Sequence, residues 1–248
     1  QTLINTTDYP ATLTYTVFPE FENLLVPETC KGDPFELVIT VNPTVGINTV
    51  PSQILCNGDN TLEINFSSVL DQNTENLDEG VITYSWVNDN TGIGLSSSGT
   101  GDIASFVANN STIAQIEGNI TVTSIYTFNE ISCEGDSTTF KIIVDPSPQV
   151  IFSEDNQFIT SGETTVLVDL TSLTSGVTFE WTAVADNGIT GFATTSGTNS
   201  IPEETLFNTT TEPLTVIYTA IASGNVGFNC EGLPFYYEVT VNPKAQVN

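Results

Sequence analysis

Short runs of alternating apolar and polar residues dominate the chain. Leu37, Ile39 and Val41 alternate with Val38, Thr40 and Asn42, and the sets Phe140, Ile142, Val144 and Tyr237, Val239, Val241 repeat the pattern. A period of two puts each set on one face of a β-strand. Leu62, Ile64 and Phe66 alternate with Glu63 and Asn65, which predicts an early strand with those three residues facing inward. Tyr84-x-Trp86 and Phe179-x-Trp181 predict strands on which an aromatic pair shares a face. Thr, Asn and Ser fill the polar positions, and strong helix formers are scarce outside Leu and Ala, so the pattern describes an all-β protein.

The pattern repeats. Cys30-Lys31-Gly32 leads to Val41-Asn42-Pro43, Cys133-Glu134-Gly135 to Val144-Asp145-Pro146, and Cys230-Glu231-Gly232 to Val241-Asn242-Pro243. The three prolines lie 103 and 97 residues apart. Ser98-Gly99-Thr100 answers Ser196-Gly197-Thr198, and Ile4-Asn5-Thr6-Thr7 with Tyr15-Thr16 answers Phe207-Asn208-Thr209-Thr210 with Tyr218-Thr219. Three units follow: residues 1–43, the C-terminal half of an immunoglobulin-like repeat, and two full repeats at 44–147 and 148–248. About seven short strands in about 100 residues, with one central Trp each, predict tandem immunoglobulin-like β-sandwiches arranged end to end. Trp86 and Trp181 are expected in the two cores. A window cut from a longer filament accounts for the half unit, as does completion by strands from another chain.

Composition narrows the function. Three Lys, no Arg, no His and 30 acidic residues give a net charge of −27 over 248 residues. Nucleic-acid binding needs a cationic groove, which Lys31, Lys141 and Lys244 cannot form. No apolar run approaches the roughly 20 residues of a membrane helix, so no membrane insertion is expected. Without His, Ser-His-Asp chemistry and the usual zinc sites are excluded. Many acids are present, but none recurs between units as a constellation, and no enzyme activity is expected.

The order Cys-x-Gly, Tyr-x-Trp, Ser-Gly-Thr, Tyr-Thr, Cys-x-Gly and Val-x-Val-Asn-Pro resembles the PKD-like and Ig-like repeats of Bacteroidota surface proteins. These occur in tandem in giant adhesins exported by the type IX system, the gliding adhesin SprB type among them. The resemblance covers nearly the whole chain. It implies a structural, adhesive segment of a long extracellular filament at the cell surface. Its partners would be neighbouring repeats of the same chain and an unidentified distal surface or glycan. Similar repeats also serve as accessory spacers or carbohydrate-binding modules of secreted polysaccharide-degrading enzymes, which is the alternative. One departure stands out: Cys56 precedes the early strand of the second unit, and Thr160 takes the matching place in the third.

The four cysteines suit an oxidising compartment. A Cys56–Cys133 bridge would lie within one unit; a Cys56–Cys230 bridge would join two. The first has to span opposite poles of a sandwich, some 25–40 Å apart for strands of eight to twelve residues. In the second arrangement Cys133 and Cys30 look for partners in earlier units. Both pairings, and free thiols, remain open at this level. Asp71, Glu75, Asp78 and Glu79 share one loop and are candidate Ca²⁺ ligands, though their spacing fits no EF-hand and a solvated loop is the plainer reading; no other cofactor is expected. Asp136-Ser137-Thr138 resembles a short bacterial O-glycan acceptor at Ser137. The Asn-x-Ser/Thr triplets, Asn5, Asn110 and Asn208 among them, are what chance gives in so Asn- and Thr-rich a chain.

Overall fold

The computed structural model describes residues 2–7, 9–22, 29–68, 80–224 and 230–245. The N-terminal part of the chain holds β1 (Ala11–Val17), β2 (Glu20–Glu22), β3 (Thr29–Lys31) and β4 (Phe35–Val41). β1 pairs antiparallel with β4, and the short β2 with β3. β5 (Gln53–Cys56), β6 (Val81–Asn88), β7 (Ser98–Thr100), β8 (Ile116–Phe128) and β9 (Ile131–Asp145) form one five-stranded sheet in the order β5-β9-β8-β6-β7. The facing layer of this unit is tied by isolated bridges, Ile47 to Ser68, Asn60 to Val107 and Ile64 to Ile103.

The third unit repeats that sheet. Its strands are β10 (Ile151–Phe152), β11 (Gln157–Thr160), β12 (Val168–Thr171), β13 (Val177–Ala185), β14 (Ile189–Thr190), β15 (Ser196–Thr198), β16 (Ser200–Ile201), β17 (Phe207–Asn208), β18 (Leu214–Gly224) and β19 (Phe235–Asn242). The order β11-β19-β18-β13-β15 matches β5-β9-β8-β6-β7 strand for strand, and β10-β12-β16 closes the other face. In both five-stranded sheets the edge strand, β5 or β11, is four residues long and runs parallel to the unit's last strand: Cys56 sits opposite Asp145, and Thr160 opposite Asn242. The described residues are all-β apart from a short 3-10 turn at Thr91–Ile93.

Each sandwich has its own core. Tyr84, Trp86, Ile120, Phe140, Ile142 and Val144 are buried together in one, and Phe179, Trp181, Tyr218, Tyr237, Val239 and Val241 in the other. The Ser-Gly-Thr repeat has a packing reason. Gly99 pairs directly with Trp86 and Gly197 with Trp181, so each indole lies over a glycine Cα. A Cβ at either glycine would overlap the six-membered ring of the indole. The two tryptophans differ in one respect: Trp181 Nε1 donates to the Ser200 carbonyl at 2.9 Å, whereas buried Trp86 Nε1 has no partner.

Two expectations need correction. Leu62 does not face inward but is 74% exposed; Thr61 turns in instead, and Ile64 and Phe66 are buried as expected. The segment makes only isolated bridges rather than a paired strand, because Gln53 Oε1 accepts the Leu62 amide and Gln53 Nε2 donates to the Leu62 carbonyl. A side chain there replaces a ladder rung, so strict alternation is not enforced. In the first unit, Leu37 is 51% exposed although its counterpart Tyr237 is 2% exposed. The β1–β4 pair has no covering sheet among the described residues.

Overpacking beneath an indole has a measurable cost. Gly197→Ala is expected to destabilise the third unit by about 1–3 kcal/mol in urea unfolding. Gly46→Ala, with no neighbour within 4 Å of the added Cβ, should change stability by less than about 0.5 kcal/mol. Equal effects at the two positions would refute the packing explanation.

Candidate functional site: a clipped joint between two sandwiches

The joint is built where β9 leaves the second unit. β9 ends at Asp145 and continues as Pro146-Ser147-Pro148. Neither proline offers a backbone N–H, so this stretch cannot extend the ladder. β5 ends beside it on Cys56. The turn after β5 is held by Asn57, whose N–H donates to the Asp145 carbonyl at 2.9 Å and whose side chain accepts the Asn110 amide at 2.8 Å.

From the other side, β18 and β19 bring the third unit's Cys-x-Gly turn onto the same place. The Gly224 amide donates to the Cys230 carbonyl at 2.9 Å. A disulfide joins Cys56 to Cys230, with their Cα atoms 5.5 Å apart and a separation of 174 positions in sequence. Gly232 faces the Pro148 carbonyl so closely that a Cβ would overlap it. Gly135 stands in the same relation to the Val45 carbonyl, which also accepts from Ser124 Oγ at 2.7 Å. The Cys-x-Gly motif therefore combines two jobs: the cysteine reaches back to the preceding unit, and the glycine lets the connecting chain pass.

Cys133 is not bonded and is half-buried; Asn42 Nδ2 donates to its Sγ at 3.7 Å. Cys56 and Cys133 lie toward opposite ends of β9, which spans about 40 Å between Cys133 and Asp145 at ~3.3 Å per residue. The side chain of Cys30 lies outside the described residues, as does the whole of the acidic loop with Asp71, Glu75, Asp78 and Glu79. Ser137 is exposed on β9 and shares a 2.8 Å hydrogen bond with Thr123 Oγ1.

A cavity of about 200 Å³ opens beside the disulfide, lined by Ile113, Ala114, Gln115, Asp145, Pro146, Pro148, Thr174, Ser175, Gly224 and Cys230. Asp145 Oδ1 accepts from Gln115 Nε2 at 2.8 Å, and its buried Oδ2 has no protein partner. Away from the joint, Asp89 is held below the usual carboxylate range, first by the Asn119 backbone amide and then by the Asn119 side chain. Burial raises the phenols of Tyr218 and Tyr237, with the Glu204 charge adding to the first, so both stay neutral packing groups.

One element escaped the sequence reading. Asn5, Asn110 and Asn208 form the same clasp in all three units. Each Nδ2 donates to the carbonyl of the last strand, at Val41, Val144 and Val241 respectively, always at 2.8 Å. Each Oδ1 accepts from the backbone and hydroxyl of the Thr two residues on, Thr7, Thr112 and Thr210. The signal was present as an Asn-x-Thr triplet in each unit, but it reads as an ordinary triplet in so Asn-rich a chain. Asn110 and Asn208 are buried, committed to the backbone rather than available for modification.

Residues 157–245 match the family model of the PKD-like domain. The matched stretch runs from β11 past β19 and includes Cys230. No curated protein matches the chain. Among solved structures, a variant three-immunoglobulin segment of titin is similar at 12% identity and a TM-score of 0.36, over 86% of this chain and 70% of that one. Mouse cadherin-23 EC22–24 is similar at 16% identity and a TM-score of 0.41, over 81% and 67%. Human CDH23 EC21–23 gives 18% identity and a TM-score of 0.39, over 92% and 73%.

Two outcomes check the joint. Non-reducing peptide mapping should return a Cys56–Cys230 cross-link, and a Cys56–Cys133 peptide would overturn the assignment. Reduction, or the Cys56→Ser/Cys230→Ser double variant, should lower stability by about 2–5 kcal/mol, because the bond closes a long loop in the unfolded chain. A urea midpoint indifferent to reductant would contradict this.

Proposed function

We propose that the chain is a load-bearing, non-catalytic segment of an extracellular tandem-repeat adhesin, a filament that attaches a cell to surfaces and serves gliding. The observation that carries this reading is the disulfide across the joint. Tension applied along the chain enters the second unit through the segment leading into β5. At Cys56 it has a covalent route to Cys230 and leaves along β19. The 174-residue separation means that most of both sandwiches lies inside the covalent loop, shielded from the load. A catalytic domain has no use for such a bypass; a tether under repeated load does.

Other features support the same reading. The PKD-like unit belongs to a class of domain used as extracellular repeats. A disulfide persists in oxidising surroundings outside the cytosol. The net charge of −27 keeps neighbouring filaments apart and soluble. No helix among the described residues is long and apolar enough to cross a membrane.

Single-molecule stretching between the chain termini tests the proposal. The reduced chain should extend about 60 nm further than the oxidised one, from 174 residues at ~3.4 Å each. Equal final lengths in the two states would remove the mechanical role.

A further inference from the structure

The first unit has an unpaired sheet edge and an exposed apolar face among the described residues. β1 and β4 reproduce the β18–β19 pair register for register: Leu13 faces Ile39 as Val216 faces Val239, and Ala11 faces Val41 as Leu214 faces Val241. In the third unit this face is covered and Val216, Val239 and Val241 are wholly buried. In the first unit Leu13, Val17, Phe35 and Leu37 on the same face are exposed. β4 has no second partner among the described strands, whereas β9 and β19 each carry a parallel four-residue strand on the matching edge.

The end of that open edge is where the unbonded cysteine sits. Asn42 is the counterpart of Asp145, the residue that Cys56 pairs with before bonding to Cys230. Cys133 is the counterpart of Cys230, and Asn42 Nδ2 reaches its Sγ at 3.7 Å. A cleft of about 400 Å³ opens at this point, lined by residues that include Leu3, Val41, Asn42, Phe128, Ile131 and Cys133. At the other joint a cysteine-ended strand fills the equivalent position.

We propose that this cleft is the acceptor site for a β-strand of this module type that ends in cysteine: the strand adds parallel to Ile39–Asn42 and bonds its last residue to Cys133. The repeat defines the strand chemically. Gln53 and Gln157 open β5 and β11 and each clamps the backbone nine residues on, so the occupant reads Gln, any residue, an apolar residue, then Cys. Its first residue lies opposite Ile39 and its cysteine opposite Asn42. The bond forms by thiol–disulfide exchange. Two thiols lose two protons and two electrons, and a disulfide donor of the oxidising compartment is reduced to two thiols. This rests on the tandem-module reading above, but not on its mechanical part.

The test uses the full chain carrying Cys30→Ser and a peptide spanning Pro51–Asn109 of the same sequence. The peptide holds β5, β6, β7 and a single cysteine, activated at Cys56 as a thionitrobenzoate mixed disulfide. The Cys133 thiolate attacks the peptide sulfur, the new disulfide forms, and thionitrobenzoate leaves with the electron pair. Docking raises the effective concentration, so release should be about tenfold faster than with a scrambled peptide carrying the same activated cysteine. The adduct should map to Cys133, and amide exchange at Ile39–Asn42 should slow. Cys133→Ser should abolish the adduct while leaving the β-sheet circular dichroism unchanged. Equal rates for the two peptides, an adduct without protection of β4, no adduct, or a Cys133–Cys133 dimer of two copies as the main product would each overturn the proposal. None of these results involves the Cys56–Cys230 bond, so they leave the load-path proposal to its own measurement.

Discussion

A four-residue strand running parallel to the last strand of each sandwich decides where the cysteine of that unit can reach. β5 ends opposite Asp145, at the point where the chain turns out of the sheet toward the next unit. A residue shorter or longer, and Cys56 would point to the other face, since a strand alternates sides at every residue. The same register recurs at β11, where Thr160 replaces the cysteine and the geometry remains without the bond. The joint is therefore a consequence of edge-strand pairing, and the disulfide is an addition to a place that pairing has already defined.

Two further devices keep that edge in position. The Asn clasp hydrogen-bonds the carbonyl at the end of the last strand and ties it to the start of the strand before it. A buried carbonyl left without that donor would carry a desolvation penalty of about 1–3 kcal/mol. The glycines opposite the tryptophans let each indole settle across a neighbouring strand, drawing β7 and β15 against the core. Little of this depends on charge. Among the described residues, Lys31–Glu20 and Lys141–Glu117 pair at the surface, where such pairs contribute little.

A covalent bypass, a proline-marked connection and a stack of small cores together describe a chain organised around its joints. The stability of each sandwich sets how it responds when loaded. The bond across the joint sets how much chain can be released. These are separable quantities, since the first lies in packing and the second in topology.

The all-β class and the inward aromatic pairs were legible in the sequence, because side-chain period is a one-dimensional property. Trp86 and Trp181 were placed in the cores on that basis. The failure at Leu62 has the opposite cause: a Gln53 side chain substitutes for a strand partner, and no period records that. The clasp at Asn110 was hidden because its partner, Val144, is 34 residues away and its triplet is common in this composition. The pairing of Cys56 was likewise undecidable along the chain, where Cys133 and Cys230 carry the same motif. Only the tertiary structure separates them, by placing Cys133 at the far end of β9 and bringing Cys230 to within disulfide distance, because bonding depends on a few ångströms of space and not on spacing in sequence.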